Sequence, residues 1–154
     1  MNGDAVAGTL AILAVSLLGA CGRHRTVDVL ACPLSEADYS RQIAAAQGWN
    51  ALYSLYKSDS PRCPTASAQA NYSRQLVLLL AHRWQDLPAF AQSAQRDPAL
   101  AGFLYSHIDV HAEAANLKQL LENARSHCPT GASALCEQLA WRAQAALIAQ
   151  GLST

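Results

Sequence analysis

From Tyr39 onward the apolar side chains return at steps of three and four: Tyr39, Ile43, Ala46, Trp49, Tyr53 and Tyr56. That period is one face of a helix. Ser35-Glu36-Ala37-Asp38 stands just before it, a hydroxyl cap with acids in the first turn. Ser58-Asp59-Ser60-Pro61 closes it. The spacing predicts a single helix of about 20 residues. A second helix begins after Pro64-Thr65 and reaches about Trp84. Its centre, Leu76-Val77-Leu78-Leu79-Leu80-Ala81, is apolar on every side and is bordered by Arg74, Gln75, His82 and Arg83. This predicts a central buried helix, far too short to cross a bilayer.

Asp86-Leu87-Pro88 and Asp97-Pro98 each place an acidic cap ahead of a proline. They predict a short helix to about Gln95 and another from Ala99 to about Asp109. Leu117, Leu120, Leu121 and Ala124 form an amphipathic stripe. The last helix carries Cys136, Leu139, Ala143 and Leu147 on one side and ends at Gly151. No segment alternates as a strand does. The expected fold is all-α: a compact bundle or a short array of helical hairpins, with about five to six helices over residues 35–154.

A weak internal repeat runs through this pattern. Cys32-Pro33 leads to Tyr39-Ser40-Arg41-Gln42-Ile43, and Cys63-Pro64 leads to Tyr72-Ser73-Arg74-Gln75-Leu76. Asp97-Pro98 and Cys128-Pro129 continue the series at intervals of about 30–35 residues, the length of a helical hairpin. The Trp-Leu-Gly-Tyr framework of tetratricopeptide repeats is missing. Ordinary bundle helices that favour proline at their starts produce the same intervals.

The N-terminal 34 residues read differently. The apolar run 5–18 is too short and too close to the start for a membrane span. It fits the h-region of a signal peptide. Leu18-Gly19-Ala20-Cys21 at its end resembles the lipobox of bacterial lipoproteins. The n-region MNGDAVAG departs from the usual basic start, with Asp4 and no Lys or Arg. The resemblance implies a signal peptide over 1–20, a diacylglyceryl group on the Cys21 thiol, and a lipidated tether over 21–34. Gly22 stands where inner-membrane retention calls for Asp. The implied address is therefore the bacterial cell envelope, on the outer membrane facing the periplasm.

The chain has 11 basic and 11 acidic residues and a formal net charge of zero. No polybasic stripe suggests a nucleic-acid partner. Four cysteines follow Cys21: Cys32, Cys63, Cys128 and Cys136. In an exported protein an even number reads as disulfides, with three connectivities open. Cys128 with Cys136 closes most easily, since one precedes a helix and the other lies in its first turns. Cys32 would then pair with Cys63. That bond needs the intervening helix to bend, for instance at Gly48, or the loop after it to run back.

Candidate chemistry is sparse. His107 and His111 stand four apart in a predicted helix, so they would share a face and could hold zinc as a pair. Ile108 stands where an HExxH motif needs Glu, and two ligands are too few without Asp109, Glu113 or His127. Ser126-His127-Cys128 sets a histidine beside a thiol, but an oxidised cysteine is no nucleophile. No nucleophile elbow, Walker loop or dinucleotide fingerprint occurs. The sequence therefore predicts no catalytic residues, no metal and no cofactor.

The aromatics suggest binding. Tyr and Trp combine large area with a polar handle. Core packing is favoured for Trp49. Tyr56, Arg83 and Trp84 flank the turns of the first two helices and are the candidate partner-binding residues. The expected function is a lipid-tethered, non-enzymatic helical module that binds an envelope or secreted protein. Secretin pilotins and immunity proteins resemble it in broad plan only. The alternative is a small-ligand or metal carrier using His107 and His111, and an envelope hydrolase ranks last.

Overall fold

The computed structural model describes residues 35–59 and 65–152. Cys21, Cys32 and Cys63 lie outside them, as do the expected signal peptide and tether. The described chain is all-α: α1 (Glu36–Ala45), α2 (Trp49–Asp59), α3 (Ala66–His82), a 3-10 turn (Trp84–Asp86), α4 (Leu87–Arg96), α5 (Pro98–Ser106), α6 (Ala114–Ser126) and α7 (Ser133–Ala149). These seven helices exceed the expected number because the first predicted helix is two.

The break between α1 and α2 has a cause in α3. Ala46 turns extended. The Gln75 amide donates to the Ala46 carbonyl at 2.8 Å, and the Arg83 guanidinium donates to the carbonyl of Gln47. Carbonyls that would have continued the helix are thus satisfied by side chains of and just beyond α3. Ile43, Ala46 and Trp49 stay buried on either side of the bend. The apolar period survives while the helix does not.

Helix α3 is the axis of the fold. It packs against α1, α2 and α6, and Tyr72, Leu76, Val77 and Leu80 are fully buried. It is not buried all round, since Leu78 remains 39% exposed. Helices α6 and α7 form an antiparallel hairpin whose inner face is the predicted stripe: Leu117, Leu120, Leu121 and Ala124 against Leu139, Ala143 and Leu147. Asn123 Nδ2 donates to the Ala81 carbonyl at 3.0 Å and ties α6 to α3. The two Tyr-Ser-Arg-Gln segments meet across α1 and α3. Tyr39 and Tyr72 share a 2.7 Å hydroxyl contact with their rings edge to face, and Asn71 donates to Ser40.

Most predicted caps are present. Ser35, Thr65 and Asp97 side chains accept from the amides of Asp38, Ala68 and Ala99. Asp86 is the exception. It makes no cap to α4 and instead pairs with Arg83 at 2.6 Å. Helix α7 ends as expected. Gly151 adopts a φ of 77°, and the Leu152 amide reaches back to the Leu147 carbonyl, a left-handed stop that favours glycine.

Cys128 and Cys136 are joined, with Cα atoms 6.0 Å apart. The bond pins the turn between α6 and α7 onto the first turn of α7. The enclosed loop is short, so breaking the bond with Cys128→Ala and Cys136→Ala is expected to cost about 2–3 kcal/mol. Chemical denaturation of the double variant against the oxidised parent measures this, and coincident midpoints would contradict it.

Candidate functional site

The three residues singled out as partner anchors all have work within the fold. Tyr56 joins a ring cluster with Phe103 at 4.3 Å, His107 at 5.4 Å, Tyr72 at 5.5 Å and Tyr53 at 6.4 Å between centroids. Trp84 is half-buried, and its indole N–H donates to the His127 carbonyl at 2.7 Å. Arg83 holds Asp86 and the Gln47 carbonyl. The structure brings Arg83 and Trp84 together by sequence alone and places Tyr56 apart from them in the aromatic cluster.

The histidine pair is corrected. Helix α5 stops at Ser106, so His107 and His111 do not share a helix face. Asp109 explains the early stop. Its carboxylate accepts from the His111 amide at 2.8 Å and from the Ser73 hydroxyl at 2.9 Å, local bonds that compete with a further helical turn. His111 is exposed in the turn, whereas His107 is only 3% exposed. The His107 ring lies among Tyr56, Tyr72 and Phe103. Its Nδ1 is 2.8 Å from the Phe103 carbonyl and its Nε2 is 2.8 Å from the Gln69 side chain. Both nitrogens have partners inside the fold, and the ring is buried away from solvent. Among the described residues no three His, Cys, Asp or Glu side chains gather to hold a metal ion.

Ser73, His107 and Asp109 are the residue types of a hydrolytic triad, but their order is wrong for one. The serine donates to the aspartate and the histidine reaches neither. Among the described residues the hydroxyl meets the Asp109 carboxylate and the Gln69 carbonyl, and no imidazole reaches it to take its proton. These groups instead hold the segment 107–113 against α3.

Burial holds His107 below the ordinary imidazole range, although the Phe103 carbonyl and the Asp109 carboxylate pull the other way. An unfolded ring near its usual value of 6.5 therefore takes up a proton more readily than the folded one. The stability tied to His107 is complete above that pH and is lost as pH falls below it. Unfolding free energies measured at descending pH should decline, and His107→Gln should flatten the decline. An equal slope in the variant would assign the loss to other groups.

The structure points to a surface that the sequence reading passed over. Among the described residues Trp141 and Ile148 are the most exposed large apolar side chains, at 60% and 59%. Both lie on α7 with exposed Ala145 between them. A residue every 100° puts Trp141 and Ile148 about 180–200° from Leu139, so they turn away from the core together. That helical wheel was available in the sequence. Arg142, beside Trp141, is held in place. Its guanidinium lies 5.4 Å from the Trp141 ring and 5.7 Å from the Tyr105 ring, and Nη1 donates to the Tyr105 carbonyl at 2.9 Å. A depression of about 340 Å³ runs alongside, between α4, α5 and α7, with Ala94, Ala101, Tyr105 and Leu135 in its lining. Val110, 45% exposed, stands near the end of α7, where Gln150 donates to its carbonyl.

This surface can bind by shape and apolar area, with an indole and an oriented guanidinium as anchors. It brings together no nucleophile, base and oxyanion donor. Comparisons with protein-family models, with curated proteins and with solved structures found no match.

Proposed function

We propose that the protein is an envelope lipoprotein, anchored by lipid at Cys21, whose helical body binds another envelope or secreted protein through the outer face of α7. The observation that carries the reading is Trp141. A large indole stands in solvent on a helix, next to an arginine whose guanidinium lies near the Trp141 and Tyr105 rings and donates to the Tyr105 carbonyl. Trp and Arg dominate the energetic centres of protein interfaces, and their value rises when they are fixed before binding. The partner that suits this face presents an apolar helix or loop, broad enough to cover Trp141, Ala145 and Ile148. An inhibitory role against a toxic effector and an assembly role like that of a pilotin both fit such a contact. Co-purification with an effector favours the first, and co-purification with a secretin favours the second.

Two experiments test the two halves. Cys21→Ser should abolish labelling by a palmitate analogue and leave uncleaved precursor, and equal labelling would remove the anchor. A pull-down from detergent-solubilised membranes should recover the partner with the parent and with Arg41→Ala, a change far from α7. It should fail with Trp141→Ala combined with Ile148→Ala. Equal recovery by all three would remove the α7 face.

A further inference from the structure

The exposed side of α7 has a period of its own. Ala134, Gln138, Trp141, Ala145 and Ile148 are all exposed and follow one another at steps of four, three, four and three. That is one residue every 3.5, the seam along which two helices pair with a slight left-handed twist. Cys136, Leu139, Ala143, Ala146 and Leu147 are buried on the other side, so one helix carries an inner face and an outer seam. The seam is apolar except for Gln138. A single polar side chain at such a position fixes the register of a pair. Ala145, the next layer after Trp141, leaves room for a large indole on each helix.

The charges say what lies on it. Glu137 and Arg142 are the only charged side chains of α7. They flank the seam on opposite edges, five residues apart. In a parallel pair of helices, edge positions at that offset meet across the seam and set partner and orientation. Glu137 of one copy then faces Arg142 of a second, and the two-fold axis makes the contact twice. An antiparallel pair centred on Trp141 would bring the two Arg142 side chains together, and like charges oppose it. The guanidinium keeps capacity for the contact, since only its Nη1 has a hydrogen-bond acceptor among the described residues. Tyr105, which takes that bond, fixes the direction of the side chain before any pairing.

We infer that α7 pairs in parallel with α7 of a second copy of this chain. The inference rests on the reading of α7 as a binding face and adds what occupies that face when the partner is absent. Trp141 and Ile148 meet their own counterparts near the two-fold axis, and two Glu137–Arg142 pairs close the edges. The 17 residues of α7 give a contact about 26 Å long, short of a standard interface, so the pairing is reversible. The partner and the second copy use one surface, and capture of the partner separates the copies.

The test is cysteine linking of the full chain, overproduced in bacterial membranes so that copies outnumber the partner. The parent, with its native cysteines, sets the background. Ala145→Cys and Ile148→Cys should each give a linked dimer under mild oxidation, and Gln42→Cys on the exposed side of α1 should not. A direct link needs Cα atoms within about 7 Å. In an antiparallel pair centred on Trp141 the two copies of position 145 would stand about 12 Å apart along the axis, and those of position 148 about 21 Å. Glu137→Arg added to Ala145→Cys should cut the dimer about fivefold or more, because both edge pairs turn repulsive. Glu137→Gln should cut it less, and Trp141→Ala should remove it. No link above background at either position, an equal link at Gln42→Cys, or a yield indifferent to Glu137→Arg would overturn the inference. Partner capture that needs Trp141, with no self-link, would remove the pairing and leave the α7 binding face standing. Self-links together with partner capture indifferent to Trp141 would keep the pairing and remove the partner from this face.

Discussion

Phe103→Ala is expected to lower the unfolding free energy by about 3–5 kcal/mol. The ring is 3% exposed and lies at the centre of the aromatic cluster. Its centroid is 4.3 Å from that of Tyr56, 4.7 Å from His107, 5.6 Å from Tyr53 and 5.8 Å from Tyr72. The loss therefore has three parts: the transfer energy of the side chain, a cavity that stiff rings cannot close, and several aromatic pairs. The cluster joins α2, α3 and α5, so the damage spreads to three helices. Trp141→Ala is the control. An exposed side chain removed from a helix surface changes stability by about 0.5 kcal/mol or less. Denaturation midpoints of the two variants separate the cases. A Phe103→Ala protein within 1 kcal/mol of the parent, against the loss such truncations usually bring, would show that the cluster does not hold the fold.

The second large effect falls on binding. Trp141→Ala should weaken the partner complex by about 2 kcal/mol or more, close to thirtyfold in dissociation constant. Removal of the indole takes away the largest exposed apolar area on α7, and it also uncovers one side of the Arg142 guanidinium. Ile148→Ala should cost less, because an aliphatic side chain near the end of the helix brings less area and no polar contact. Leu78→Ala, on the exposed side of α3, should leave affinity unchanged. Titration calorimetry with the purified partner ranks the three. A Leu78 effect equal to that of Trp141 would move the interface to α3.

The fold was legible where side chains repeat at helical spacing and are followed by an unambiguous stop. Helix α7 ends at Gly151 because only a left-handed residue suits the stop, and the stripe of α6 faces the core as its period requires. The Cys128–Cys136 bond was legible from chain proximity. The break after Ala45 was not, because its cause is tertiary. Gln75 and Arg83 lie about 30 and 36 residues away in sequence and supply the bonds that let the chain turn. The end of α5 was missed for a related reason, since Asp109 finds Ser73 on α3 rather than another turn of its own helix.

The candidate site was less legible. Tyr56 and Trp84 border polar loops in the sequence, yet one turns inward to Phe103 and the other spends its N–H on His127. Proximity to a loop does not reveal the direction of a side chain. Trp141 was hidden for the opposite reason. It sits two positions from Leu139 in a helix whose apolar content is high on all sides, so its outward direction appears only when the buried face is fixed by Leu139, Ala143 and Leu147.

The central claim is that the outer face of α7 is covered by another protein in the cell envelope. A photoreactive amino acid placed at Ala145, and separately at Gln42 on the exposed side of α1, tests it in living cells. Ala145 should give one discrete adduct, Gln42 should give none, and the Ala145 adduct should disappear when Trp141→Ala is added. An adduct from Gln42 with none from Ala145, or an Ala145 adduct indifferent to Trp141, would contradict the account.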